Sequence, residues 1–206
     1  MRRAALLAAL VIAGPACAQD AMSPEIRAVI ARTRNPAVDY SVVHTERVMF
    51  EGRTFEQTSA EYERGPMHRV ETLPAHSISN CETGATVILR ADNQRIEQSH
   101  DDWGACGISD FEPVQSSRML SAVTGPWGRA DVIELTGRDF VRRYVVTHDG
   151  IIVSGNYTPR RPDVRYSVET LRVIVTRGAP DAAMFEEASL GRTFAQTLPA
   201  DAPPAP

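Results

Sequence analysis

The fold is decided by residues 38–63, VDYSVVHTERVMFEGRTFEQTSAEYE. Apolar and polar residues alternate up to Glu51-Gly52, a turn signal, and a second strand is predicted over 54–63. A period of two is strand spacing, because successive side chains of a strand point to opposite faces. The sequence therefore predicts a β-hairpin, and Met67–Thr72 adds a third antiparallel strand.

Turn signals of the same kind divide most of the remaining chain. Further strands are predicted at Ala85–Arg90, Gln94–Ser99, Ala130–Leu135, Asp139–Thr147, Gly150–Tyr157 and Val164–Val175. A loop is predicted at Leu73–Gly84 and a final helical turn at Ala182–Phe185. Two longer helices are predicted. One begins at Ser23-Pro24-Glu25 and ends at Asn35-Pro36; the other spans Val114–Val123, where Met119 and Leu120 suit one helix face. We therefore expect one α+β domain over residues 19–190.

The two ends of the chain differ from this pattern. Residues 1–18 have a basic start, a short apolar run and an A-x-A exit at Ala16–Ala18, which together are typical of a secretory signal peptide. We expect cleavage after Ala18; lipidation of Cys17 is the alternative. Residues 191–206 are rich in Pro and Ala and are expected to form a disordered tail.

Composition limits the classes of partner. The chain has 22 basic and 26 acidic residues, a formal net charge of −4, and no basic run, which argues against nucleic acid. No segment approaches the roughly 20 apolar residues that a transmembrane helix needs. An exported, periplasmic and monomeric protein is the expectation.

The cysteines suggest a disulfide. If Cys17 leaves with the leader, Cys81 and Cys106 remain, and an even pair in an exported chain favours a bond between them. Two buried free thiols are the alternative. No cysteine has the closely spaced Cys or His neighbours of a metal site, so we expect no metal and no cofactor.

The pair His148-Asp149 is predicted to belong to a turn and not to a catalytic site. The two residues lie in YVVTHDGIIVSG, residues 144–155, where Asp-Gly between two apolar runs is a strong hairpin signal. Neighbours on a strand also point to opposite faces, which makes them a poor catalytic pair. No phosphate-binding loop, dinucleotide fingerprint or nucleophile motif is present, so we expect no enzyme.

The order of elements resembles the LolA-like family of periplasmic proteins, which includes LolA, LolB and the N-terminal domain of RseB. The likeness is carried by YSVVHTERVMFEGRTFEQTSAEYERGPMHRVE, TVILRADNQRIEQ, and RYVVTHDGIIVSGNYTPRRPDVRYSVETLRV followed by DAAMF. It implies a curved antiparallel sheet, an incomplete barrel covered by short helices, whose hollow shelters an acyl chain or a partner peptide.

This resemblance leads to a hypothesis about the ligand-binding residues. By strand alternation Tyr40, Val42, Val48 and Phe50 share one face, and a bulge near His44 would shift part of it. Opposite them the predicted helix would offer Met119 and Leu120. These six residues are expected either to line a hollow for an apolar or lipid ligand, such as a lipoprotein acyl chain, or to fill a closed core. The corresponding functions are a carrier or chaperone, and an envelope interaction or sensor domain.

Overall fold

The computed structural model describes residues 22–100, 106–108, 113–196 and 198–206. The predicted signal peptide, its cleavage site and Cys17 lie outside these residues. Within the described residues one α-helix, α1, is followed by eleven strands: α1 Pro24–Arg34, β1 Tyr40–Phe50, β2 Arg53–Arg64, β3 Met67–Glu71, β4 Ala75–Asn80, β5 Ala85–Arg90, β6 Ile96–Ser99, β7 Val114–Gly125, β8 Gly128–Gly137, β9 Phe140–Thr147, β10 Ile152–Pro159 and β11 Tyr166–Arg177. Two 3₁₀ turns, Ala182–Phe185 and Glu187–Ser189, come after β11.

All eleven strands form one antiparallel sheet in the order β6-β5-β4-β3-β2-β1-β11-β10-β9-β8-β7. The sheet is not closed into a barrel, since β6 and β7 are its two edges. An open antiparallel sheet matches the prediction, but the protein is richer in sheet than an α+β domain covered by several short helices. Among the described residues, no helix is long and apolar enough to cross a membrane.

Helix α1 begins as predicted. Ser23 caps it, its hydroxyl oxygen accepting a hydrogen bond from the Ile26 N–H at 3.4 Å, and Pro24 opens the first turn. Ile26 and Ile30 are buried against Ile133 of β8 in an apolar cluster that fixes the helix on the sheet.

Two parts of the prediction for the middle of the chain are wrong. Val114–Val123 is not a helix; it belongs to edge strand β7. The predicted loop Leu73–Gly84 contains a further strand, β4, which pairs with β3 and β5. The disulfide prediction is confirmed, since Cys81 and Cys106 are bonded with their Cα atoms 5.9 Å apart.

The Asp-Gly stretch of the β9–β10 connection is a turn, as expected. Gly150 has a φ of +95°, and a Cβ there would lie 2.3 Å from the Arg32 carbonyl oxygen, so both backbone and space require glycine. Asp149 accepts hydrogen bonds from Arg177 and from the Thr147 hydroxyl, which gives this carboxylate a structural role.

One face of β1–β3 is covered by the segment that follows β11. Arg69 of β3 is fully buried and pairs with Glu71, Nε to Oε1 at 2.8 Å. Its Nη atoms donate to the carbonyl oxygens of Met184 and Arg192, both at 2.8 Å. The Glu71 carboxylate in turn accepts the N–H of Phe194 at 2.9 Å. This network fixes residues 184–194 to the sheet.

Part of the Pro- and Ala-rich segment lies against the sheet. Leu198 and Ala202 are buried, and the backbone of residues 203–205 is hydrogen-bonded to β11. Strand β11 offers backbone hydrogen-bonding groups to this segment at Leu171 and Val173. The composition of the segment alone does not reveal that contact.

Candidate ligand-binding groove

The opposite face of β1 and β2 forms one wall of an open apolar groove. Val48 of β1 lies directly across from Phe55 of β2 and from Val168 of β11. Residues directly across an antiparallel ladder share a face, so these strands present a continuous apolar surface. The groove has a volume of about 310 Å³ and is lined by Val48, Phe50, Phe55, Gln57, Leu73, Pro74 and Tyr166.

The apolar side chains of this groove are unusually exposed. Phe50, Phe55, Leu73 and Tyr166 are between 38% and 64% accessible. They are four of the six large apolar side chains that are exposed in the described part of the chain. A contiguous exposed apolar patch indicates a binding surface, because leaving it in water costs free energy that a ligand recovers.

A second hollow of about 600 Å³ adjoins the apolar groove and shares Gln57, Pro74 and Tyr166 with it. Its walls are more polar. Gln57 Nε2 donates to Glu46 Oε2 at 2.9 Å, and the Arg142 side chain lies on the wall formed by β9. We call the two hollows together the groove, with an apolar end at Leu73 and a polar end at Arg142.

Aromatic rings from four neighbouring strands form a row, and Phe50, Tyr157 and Tyr166 of this row line the groove. Tyr157 of β10 lies between Phe140 of β9 and Tyr166 of β11, with ring centroids 6.2 and 5.4 Å apart, and Tyr166 meets the edge of Phe50 at 6.5 Å. The Arg142 guanidinium lies 4.7 Å from the Phe140 centroid and 5.6 Å from that of Tyr157. Stacking on two rings positions this cation at the polar end.

The phenol of Tyr166 stays neutral at this site. Burial raises its pKa, and the negative charges near it, first that of Glu46, raise it further, while Arg142 acts in the opposite direction. A neutral phenol offers an O–H donor, so the groove combines apolar surface with hydroxyl donors, the Arg142 cation and the Glu46 carboxylate. Among the described residues, no group of three His, Cys, Asp or Glu is placed to hold a metal ion.

The structure separates the six residues predicted from the sequence. Val48 and Phe50 line the groove. Tyr40 and Val42 are buried in a closed core with Trp127. A bulge on the β1–β11 ladder between Thr45 and Glu46 separates the two pairs.

Met119 and Leu120 do not face the groove. Both lie on edge strand β7, where Met119 pairs across from Ile133 of β8, and Leu120 packs on the same closed core as Val42. Their expected place opposite β1 depended on the helix that the structure does not contain.

Sequence reasoning missed Phe55, Leu73, Tyr157 and Tyr166. Phe55 carried a signal, since a tight turn at Glu51-Gly52 places it across from Val48. Leu73 and Tyr166 carried none, because a loop residue and a residue on a strand more than 100 positions away reach the groove only through the tertiary fold.

No protein-family model matches this chain, and no curated protein sequence matches it. Solved structures similar to it include the MucA/MucB complex of Pseudomonas aeruginosa, with 12% identity, a TM-score of 0.49, and coverage of 79% of this chain and 60% of that one. A putative outer membrane lipoprotein-sorting protein domain from Vibrio parahaemolyticus has 9% identity, a TM-score of 0.41 and coverage of 81% and 97%. The LolA superfamily protein NE2245 from Nitrosomonas europaea has 9% identity, a TM-score of 0.38 and coverage of 80% and 98%. These structures are similar to the chain over most of its length, at identities of 12% or less and TM-scores below 0.5.

Proposed function

We propose that this protein binds the apolar chain of an amphiphile, such as a lipoprotein acyl chain, as a non-enzymatic carrier or chaperone of the periplasm. The observation that carries the proposal is the cluster of exposed apolar side chains at the apolar end of the groove. In a filled core these side chains would be covered by protein.

The size and composition of the groove support a small amphiphile. Hollows of about 310 and 600 Å³ lie within the range of small-molecule sites, roughly 300–1,000 Å³. The apolar end offers Phe50, Phe55 and Leu73 to a hydrocarbon chain. At the polar end Arg142 and Glu46 offer charges of both signs to the head of the same molecule.

Export to the periplasm and action as a monomer are part of the proposal. The leader-like residues 1–18 support export. The Cys81–Cys106 bond supports an oxidising compartment, because disulfides persist there and are rare in the cytosol. Size-exclusion chromatography with light scattering on the purified protein tests the monomeric state.

A fluorescent fatty-acyl probe tests the proposed ligand. The Phe55→Gln variant should bind the probe about three- to fivefold more weakly, because burying the exposed part of this phenylalanine contributes about 0.6–1 kcal/mol. Met119→Gln is the matched control, since Met119 is 39% exposed and Phe55 is 38% exposed, but Met119 lies on β7 outside the groove.

An equal loss of probe affinity in Phe55→Gln and Met119→Gln would contradict binding in this groove. Absence of any saturable probe binding by the unmodified protein would contradict the carrier function and favour an interaction or sensor domain. Native mass spectrometry of the protein purified without detergent identifies any amphiphile that it retains.

A further inference from the structure

Strands β10 and β11 pair over an unusually short distance. In the described residues their ladder consists of the pair Tyr157–Val168. Beyond it, side chains replace the backbone ladder: the Thr170 N–H donates to Asn156 Oδ1 at 2.8 Å, and the Gly155 N–H donates to Thr170 Oγ1 at 3.1 Å. The backbone of β11 after Thr170 is therefore not joined to β10. We use the name seam for the backbone edge of residues 171–173 of β11 that faces away from β1.

The chain's own residues 203–205 fill the seam. The Val173 N–H donates to the Pro203 carbonyl oxygen at 3.2 Å, and the Ala205 N–H donates to the Leu171 carbonyl oxygen at 2.9 Å. Arg172 and Pro204 form an antiparallel bridge between these bonds. The segment therefore recognises β11 as an added strand would, through main-chain groups.

Few side chains fix this segment in place. Within residues 198–206, Leu198 and Ala202 are buried, and Ala205 packs on the core cluster that contains Val42. Ala200 and Asp201 are exposed. A contact with two ladder hydrogen bonds and so little buried side-chain surface belongs to the parts of a fold that open locally at low cost.

Proline in residues 203–205 suits an edge strand, which pairs on one side only. Pro204, whose main-chain groups point away from β11, has no N–H to donate, so a further strand cannot pair regularly along the outer side of this segment. When the segment leaves, the Val173 N–H and the Leu171 carbonyl lose their partners and become a template for another extended chain.

We propose that the seam is a strand-accepting site for an extended, Ala- and Pro-rich segment of another polypeptide, and that residues 198–206 occupy it as an internal competitor. The partner binds antiparallel to residues 171–173 and places small apolar side chains where Ala202 and Ala205 now lie. Since the site uses β11 backbone groups outside the groove, the proposal does not depend on the proposed ligand.

The test uses the full chain and a fluorescently labelled peptide, LPADAPPAP, with the sequence of residues 198–206. The Ala202→Asp variant puts a charge at a buried position and should release the internal segment. We expect this variant to bind the peptide at least tenfold more tightly than the unmodified chain, because a tethered competitor acts at an effective concentration in the millimolar range. Ala200→Asp, the same change at an exposed position of the segment, should bind the peptide as weakly as the unmodified chain.

Two results would overturn the proposal. One is a folded Ala202→Asp variant, judged by circular dichroism, that binds no peptide; the other is equal binding by all three proteins. If Ala202→Asp does not fold, hydrogen exchange on the unmodified chain tests whether residues 203–205 detach from β11. The amides of Val173 and Ala205 should exchange faster than the amides of the β1–β11 ladder. Equal protection would show that residues 203–205 stay paired with β11 and would overturn the proposal.

Discussion

Replacing Leu73 by serine separates ligand binding from stability. Leu73 is 64% exposed at the apolar end of the groove. Burying a leucine completely contributes about 1.5–3 kcal/mol, so the exposed part leaves about 1–2 kcal/mol for a ligand to gain. Leu73→Ser should therefore raise the dissociation constant of a fatty-acyl probe by about 5- to 30-fold. The part of the side chain that is already covered accounts for about 0.5–1 kcal/mol of folding stability.

Ile96→Ser is the matched control for this prediction. Ile96 is 51% exposed on edge strand β6, outside the groove, so its replacement should cost at least as much stability and leave probe binding unchanged. Fluorescence titration gives the dissociation constants, and urea unfolding gives the free energies. Unchanged binding by Leu73→Ser, or an equal loss in Ile96→Ser, would refute the reasoning that the apolar end contacts the ligand.

Two further predictions concern buried charges on the two faces of the sheet. Arg69→Met should lower the free energy of unfolding by about 3–5 kcal/mol in urea, because it leaves the Glu71 carboxylate buried without its cation; Arg47→Met removes an exposed pair and should cost at most about 1 kcal/mol. Burial lowers the pKa of His68, but its hydrogen bond with Glu63, Nδ1 to Oε2 at 2.6 Å, and the nearby carboxylates outweigh burial and raise the pKa above its usual value. The folded chain then retains this proton to higher pH than the unfolded chain, so stability should fall as the pH rises from about 6.5 through the raised pKa. In His68→Gln this decrease should be absent from unfolding curves measured at pH 6 and 8, and an unchanged decrease would exclude His68 as its source.

The groove shows how far strand alternation can predict a binding site. Alternation of side chains along a strand, a local rule, grouped Val48 and Phe50, which line the groove. The same rule grouped them with Tyr40 and Val42, which the structure buries in a closed core. Alternation identifies a face of a strand, whereas the neighbours that cover each part of that face come from distant segments.

Strand β7 shows why a local pattern can mislead. Its partly buried residues, Val114, Ser117, Leu120 and Val123, recur every three positions, which resembles helical spacing. The ladder with β8 contains register shifts at both ends of this stretch, after Val114 and after Leu120. Between these shifts the ladder is regular, so Ser117 and Leu120 lie on opposite faces of the strand. Partial cover on both faces of an edge strand therefore produces a spacing of three that resembles a helix.

The sequence by itself determined the elements that short-range rules govern. The Ser23-Pro24 helix start, the hairpins at Glu51-Gly52 and Asp149-Gly150, and the antiparallel class all follow from capping, turn geometry and alternation within a few residues. Only the tertiary structure decided that Leu73 and Tyr166 meet across the groove and that residues 203–205 complete β11. The physical reason is that burial and strand pairing between distant segments depend on the register and curvature of the whole sheet, and neither is encoded within a short stretch of chain.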